Sequence, residues 1–219
     1  MELLTPHCSL LTPLLTSAYL APIRYYARLY AAQQVLLETH DHYVKQTYRN
    51  RCLIAGPNGV QALTIPIEKP ALGKAAMRDI RISDHGNWRH LHWNALQSSY
   101  ERSPFFDYYA DDLRPFYEKR IDFLLDFNEG LQHTVLGLLD LTPNITQTES
   151  YCASPQEGIT DLREAITPKL SWETDTDFCA IPYYQVFVQK HGFIADLSIV
   201  DLLFNMGPEA RLVLKKSLR

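Results

Sequence analysis

Four things are scarce in this sequence, and each scarcity narrows what the chain does. Positive charge is the first: 21 Lys and Arg stand against 25 Asp and Glu, for a net charge of -4. The chain therefore lacks the global field that non-specific nucleic-acid binding requires, and nucleic acid is not an expected partner. Cysteine is the second. Cys8, Cys52, Cys152 and Cys179 form no C-x-x-C pair and have no histidine at ligand spacing beside them, so no metal site is expected and the thiols read as reduced, structural groups of a cytoplasmic protein. Long apolar runs are the third. None approaches the roughly 20 residues of a membrane span, and the apolar stretch 1–22 starts with Glu2 and is interrupted by Pro6 and Pro13, which argues against a cleaved signal. Catalytic signatures are the fourth. There is no G-x-G-x-x-G, no G-x-x-x-x-G-K-[ST], no G-x-S-x-G and no paired Cys and His. The common cofactor and hydrolase classes gain no support, and the cofactor, if there is one, stays unknown.

What is present is apolar material in recognisable periods. With 46% hydrophobic residues over 219 positions, the chain can bury one core, and a single domain over 1–219 is expected. Leu10 to Leu20 reads as a buried strand. Pro22 then suits a first helical turn, Ile23, Tyr26, Ala27 and Tyr30 recur at helical spacing, and Val35 to Thr39 is short and branched. Strand, helix and strand in about thirty residues predict a parallel βαβ-like unit. A turn at Ala55 to Gly59 and a strand at Ala62 to Ile67 follow, then a loop over Lys69 to Met77. Asn87 to Leu141 reads as helical, with breaks at Arg102–Phe106 and near Gly130. "NITQT" and "YYQVFV" read as strands, and Asp196 to Asn205 as a helix with Asp196 at its N-cap and Gly207 and Pro208 ending it. The fold class is thus α/β: a mixed, partly parallel sheet with a βαβ-like N-terminal unit and a helical middle segment.

The stretch "HYVKQTYRNRC", His42 to Cys52, stands out because Lys45, Arg49 and Arg51 occur in it without an acid. In an extended chain all three point to one face, whereas a helix would turn Arg51 away from Arg49. The spacing therefore predicts a strand whose cations span roughly 20 Å, a length suited to a diphosphate. The plainer alternative is a solvated edge strand carrying positive charge against aggregation.

Two further clusters offer side chains for chemistry. Ser198, Asp201 and Asn205 form one narrow polar line on a helix otherwise made of Leu, Ile, Val and Phe. If that line is buried, Asp201 needs a partner. A cation from the 45–51 segment would supply one, and the pair would suit proton transfer. If it is not buried, the line is simply the wet face of a surface helix. Trp88 and His92 share a helical face, while His90 and Trp93 point elsewhere, which is unsuited to zinc. Phe105, Phe106, Tyr108 and Tyr109 could stack a sugar or base, though core and rim packing explains them more simply.

Taken in order, "SAYLAPIRYYARL", "HDHYVKQTYRNRC", "LTIPIEK", "WRHLHW" followed by "SPFFDYY", and "LSIVDLLFNMGPEA" resemble the WbqC-like proteins of bacteria over most of the chain. Members of that family often occur with genes for O-antigen and other surface polysaccharides. The resemblance implies a cytoplasmic role in making or decorating sugars, with transfer of an amino acid such as glycine as one proposed activity. It directs attention to Tyr19, Tyr26, Lys45, Arg49, Asn50, Arg51, Trp88, His92, Asp201 and Asn205. Two departures stand out: Met206 occupies a position where an acid is common, and residues 150–180 lack the glycine-rich strand and turn of longer relatives. The leading expectation is a transferase acting on a nucleotide- or phosphate-linked sugar. Asp201 or His92 would handle protons, Lys45, Arg49 and Arg51 would hold the anion, and Tyr19, Tyr26, Asn50, Trp88 and Asn205 would line the small-molecule site. The alternative is a non-catalytic binding or assembly protein of the polysaccharide machinery. Whether the basic segment and the Asp201 helix meet in one cavity discriminates the two readings, and a placement on opposite sides of the molecule would rule out the enzyme.

Overall fold

In the computed structural model, which describes residues 11–69 and 75–218, the apolar stretch after Leu11 forms strand β1 (Thr12–Thr16). Helix α1 (Ile23–Ala31) follows Pro22, and strand β2 (Gln34–Glu38) completes the unit. Cys8, the first ten residues and most of the 69–77 loop lie outside the described residues. β1 and β2 are parallel, with Leu14 opposite Leu36, as the spacing predicts. α1 is buried beyond one face: Ile23 to Ala27 and Leu29 are all covered, because the helix lies against the C-terminal helices as well as the sheet.

A hairpin of β3 (Arg51–Gly56) and β4 (Gly59–Thr64) comes next, turned by Pro57 and Asn58. Asn50 extends its ladder, since its carbonyl accepts from the Ile65 N–H at 2.8 Å and its Nδ2 donates to the Ile65 carbonyl at 2.8 Å. The segment before it is not the extended strand that its parity suggests. Residues 45–50 form turns and bends, with Gln46 at φ 59° and the Thr47 hydroxyl donating to the Val44 carbonyl at 2.8 Å. The three cations therefore do not share a strand face, and only Arg51 belongs to β3.

Helices α2 (Trp88–Tyr100), α3 (Phe106–Glu118) and α4 (Leu124–Leu138) make up the middle of the chain. The break at Arg102–Phe106 is present. The one expected near Gly130 is not: α4 runs through it, and the interruption falls at 119–123 instead. Gly130 serves a close approach, because a Cβ there would lie 2.8 Å from the Phe116 ring. Leu96, Tyr100, Phe106, Leu113, Phe127 and Leu131 from these helices join one core with Leu15, Ile54 and Phe204.

Strands β5 (Asn144–Gln147) and β6 (Ile159–Asp161) then return to the first sheet, whose order is β5-β2-β1-β6 with every pairing parallel. β2 and β5 build outward on one side of β1, and β6 is added on the other. The direction of winding thus reverses between β1 and β6, and in open parallel sheets such a reversal leaves a crevice outside the carboxyl ends of the strands.

The C-terminal part corrects two expectations. "YYQVFV" is not a strand but a loop leading into the short helix α5 (Val188–His191), and the Gln185 side chain takes over the role of a ladder, bonding both the N–H and the carbonyl of Ile194 at 2.9 Å. Helix α6 (Ile199–Met206) begins at Ser198, not Asp196. Ser198 Oγ donates to the Leu20 carbonyl at 2.7 Å, while Asp196 is drawn away to the start of α1, where it meets the Arg24 N–H at 3.0 Å and Arg24 Nε at 2.9 Å. Helix α7 (Ala210–Lys216) packs on α1. Gly207 ends α6 at φ 52°, and a Cβ there would come within 2.5 Å of the Phe105 ring. Gly207→Ala should therefore cost about 2 kcal/mol or more in chemical denaturation, from left-handed strain plus collision. A variant as stable as the wild type would contradict this packing.

Candidate functional site at the carboxyl edge of the sheet

The residues that follow β2 are Thr39, His40, Asp41 and His42, and those that follow β6 are Leu162, Arg163 and Glu164. Both groups lie at the carboxyl edge. A cavity of about 380 Å³ opens between them, lined by His40, Asp41, His42, Arg49, Arg163 and Glu164, with Tyr151, Asp161 and Val44 completing it. Its walls are fixed by buried charge. Glu38, at the end of β2 and fully covered, accepts from the His40 N–H, the Thr148 hydroxyl, the Cys152 N–H and Arg163. Arg163 also grips Asp161 through two bonds of 2.9 and 2.6 Å. One carboxylate and one guanidinium thereby tie the loops after β2, β5 and β6 together.

Asp41 and Arg49 close the turn between β2 and β3. Arg49 Nε donates to Asp41 Oδ2 at 3.2 Å and its Nη2 bonds the same oxygen, with both residues buried. Asp41 Oδ1 has no hydrogen-bond partner among the described residues. Burial raises the Asp41 carboxyl above its ordinary range even against the pull of Arg49. A carboxylate anchored through one oxygen, with the other buried and unpartnered, set beside a cavity and made more basic by burial, has the attributes of a proton acceptor.

A second cavity, of about 280 Å³, lies on the other side of the same turn. Tyr43, Lys45, Gln46, Asn50, Arg51, Thr64 and Ile67 line it. It contains two cations, two amides and two hydroxyls, and no acid. Neither Lys45 nor Arg51 has a carboxylate partner among the described residues, and Arg51 Nε is without a hydrogen bond. The turn thus divides the basic segment: Arg49 faces Asp41, while Lys45 and Arg51 share a cavity with Asn50.

The remaining residues singled out in the sequence lie elsewhere. Tyr19 is buried after β1, and its hydroxyl is hydrogen-bonded at 2.9 Å to both His92 Nδ1 and the Tyr117 hydroxyl. Burial brings the His92 pKa down to about 4, so the ring is neutral in the core. Tyr26 is buried in α1 against Tyr25. Trp88 lines a separate cleft between α2 and α3. Asp201 is fully buried, and its partners are Tyr100, Tyr183 and Gln185 rather than a cation from the 45–51 segment. Asn205 is buried below it, donating to the Asp201 carbonyl at 2.7 Å. Neither Asp201 nor His92 lines any of the three cavities. The expected meeting of the basic segment with Asp201 does not occur: that carboxylate accepts instead from two phenols and one amide. The residue that does meet the segment is Asp41, which sequence reasoning passed over. Its signal was there: a His-Asp-His run immediately after a predicted parallel strand, where such folds place their ligands. Among the described residues, no group of three or more His, Cys, Asp and Glu could hold a metal ion, and no helix is long and apolar enough to cross a membrane.

The sheet and its edge cavities define a parallel α/β protein with its polar groups gathered where the strands end. The profile of the WbqC-like protein family matches residues 17–170, a span that holds all the residues lining both edge cavities, and the chain belongs to that family. Asp201 and Asn205 fall outside the matched span. The chain is also similar to an uncharacterised protein of Mycobacterium tuberculosis, with 25% identity over 198 residues, covering 77% of this chain and 81% of that protein. No solved structure matches the chain significantly.

The Asp201 network makes a prediction about stability. Burial raises this carboxyl to about 6. A folded pKa above the unfolded value stabilises the fold fully below about pH 4, and that contribution is lost as pH rises through about 6. Asp201→Asn should reduce the slope of unfolding free energy against pH between those limits, read by urea denaturation. An unchanged slope would show that Asp201 does not titrate with folding.

Proposed function

We propose that this protein is a cytoplasmic transferase of surface-polysaccharide synthesis that acts on a nucleotide- or phosphate-linked sugar. The observation that carries the reading is the acid-free cavity shared by Lys45, Arg51 and Asn50, set across one short turn from the Asp41 carboxylate. Two cations without carboxylate partners among the described residues, lining one cavity with amide and hydroxyl groups, suit the phosphate oxygens of a donor. Charge-assisted hydrogen bonds of this kind contribute about 1.5–3 kcal/mol each, so two or three give a moderate site. The pathway is the one that the family resemblance implies.

In this reading Arg49 is a positioning residue. It holds Asp41 Oδ2 in place, and the Asp41 carboxylate accepts a proton from the hydroxyl or amine of the acceptor. The acceptor's lone pair then forms the new bond as the bond to the leaving group breaks, and Lys45 and Arg51 stabilise the negative charge that develops on the departing phosphate. The unit transferred is the sugar, and the bond that breaks is the one to its phosphate, which departs with the bonding pair. His40 and His42 line the same cavity and complete its polar wall.

Two experiments test this. In thermal-shift titrations against a panel of nucleotide sugars, at least one should raise the wild-type Tm. Lys45→Ala or Arg51→Ala should weaken that ligand by about tenfold or more, whereas equal shifts in wild type and variants would overturn the anion site. With a substrate in hand, the acid limb of kcat/KM should lie above the ordinary carboxylate range, since Asp41 must be ionised to accept a proton and burial raises its pKa. Asp41→Asn should remove most of the activity and that limb with it. Full activity in Asp41→Asn is the result expected of a non-catalytic binding protein.

A further inference from the structure

The largest cavity among the three is neither of those at the sheet edge. It is a cleft of about 780 Å³ between α2 and α3, within the range of roughly 300–1,000 Å³ that ligand pockets occupy. Its floor is aromatic. Trp93 lies with its ring 5.7 Å from Tyr117 and 6.2 Å from Phe106, while the Trp88 ring is covered by the Arg89 guanidinium at 4.7 Å. Trp93 is only partly buried, and its indole N–H donates to none of the described residues. Trp88 Nε1 and the Nε and Nη2 atoms of Arg89 are likewise without partners. Buried donors left unpaired, as on Trp88 and Arg89, are uncommon in a folded protein, where buried polar groups are nearly always paired.

Charge decides what this cleft takes. Both arginines in it are already neutralised, Arg89 by Asp84 at 2.6 Å and Arg114 by Glu118 at 2.6 Å, and Asp111 adds a carboxylate with no cation bonded to it among the described residues. An anion is therefore disfavoured here, in contrast to the Lys45 and Arg51 cavity. A purely apolar ligand is disfavoured as well, because Asn87, Asn94, Gln97 and Asp111 line the cleft around the rings. An apolar face set against a ring of neutral hydroxyls is the surface of a pyranose. Its C–H groups stack on an aromatic ring, and its vicinal hydroxyls pair with planar amides and carboxylates.

We propose that the α2–α3 cleft is a binding site for a neutral saccharide, stacked on Trp93 and hydrogen-bonded by Asn94, Gln97 and Asp111. The site stands apart from the anion cavity and does not depend on the transfer reaction proposed for it. The test is tryptophan fluorescence titration of the full chain with neutral trisaccharides of glucose, galactose, mannose and N-acetylglucosamine. At least one should produce saturable quenching with a dissociation constant at or below the millimolar range. Asp111→Ala and Gln97→Ala, both at exposed positions, should weaken it by about tenfold, and Trp93→Ala should abolish the signal and the binding seen by calorimetry. Arg51→Ala should leave it unchanged. Absence of saturable quenching across the panel, or quenching lost in Arg51→Ala and retained in Asp111→Ala, would overturn the inference.

Discussion

The buried pair of Asp41 and Arg49 is the interaction on which the carboxyl edge depends. It closes a nine-residue turn, from Asp41 to Arg49, between a strand of the parallel sheet and a strand of the hairpin. Arg49 Nη1 also reaches the Thr47 hydroxyl, and its carbonyl accepts from Asn128 Nδ2 at 2.8 Å. The turn is thereby clamped to α4. Breaking a buried pair by removing one partner typically costs about 3–5 kcal/mol, although an apolar substitute for the whole pair need cost nothing. Stability alone therefore gives no reason to hold these charges inside. Geometry does: with the pair intact, Asp41 borders one cavity, while Lys45, Asn50 and Arg51 border the next.

The same economy of buried charge recurs around the sheet. Glu38 carries four donors at the end of β2, Arg163 binds across from the loop after β6, and Asp196 joins the start of α1 to the segment before α6. Each ties together loops that are distant in sequence. Asp201 does the same for α2, α6 and the 183–185 loop through Tyr100, Tyr183 and Gln185. Satisfied networks of this type rigidify a single arrangement, and a site at the mouth of an open sheet needs such support because loops supply its side chains.

Much of this was legible in the sequence. Period and length gave the βαβ unit, the hairpin, the helical middle and the C-terminal helix, because apolar spacing reports local structure directly. The basic segment also marked the right region. What parity could not convey was the turn at 44–47, since Gln46 at positive φ and the Arg49 bond to Asp41 depend on tertiary partners. The polar line on α6 looked catalytic for a similar reason. A buried Asp needs partners, and the sequence offers no means to choose between a cation of the 45–51 segment and two tyrosines 101 and 18 positions away. Asp41 was hidden in the opposite sense. It sits beside two histidines in plain view, but its importance comes from the carboxyl-end rule of parallel sheets rather than from its own spacing.

The central claim is that one turn, held by Asp41 and Arg49, presents a phosphate site on its outer face beside a carboxylate on its inner one. The most direct test is a crystal structure of the protein with a nucleoside diphosphate at saturating concentration. The account predicts the phosphates bound by Lys45, Asn50 and Arg51, with the attached group directed toward Asp41. A diphosphate bound elsewhere, or Lys45 and Arg51 left facing solvent at saturation, would contradict it.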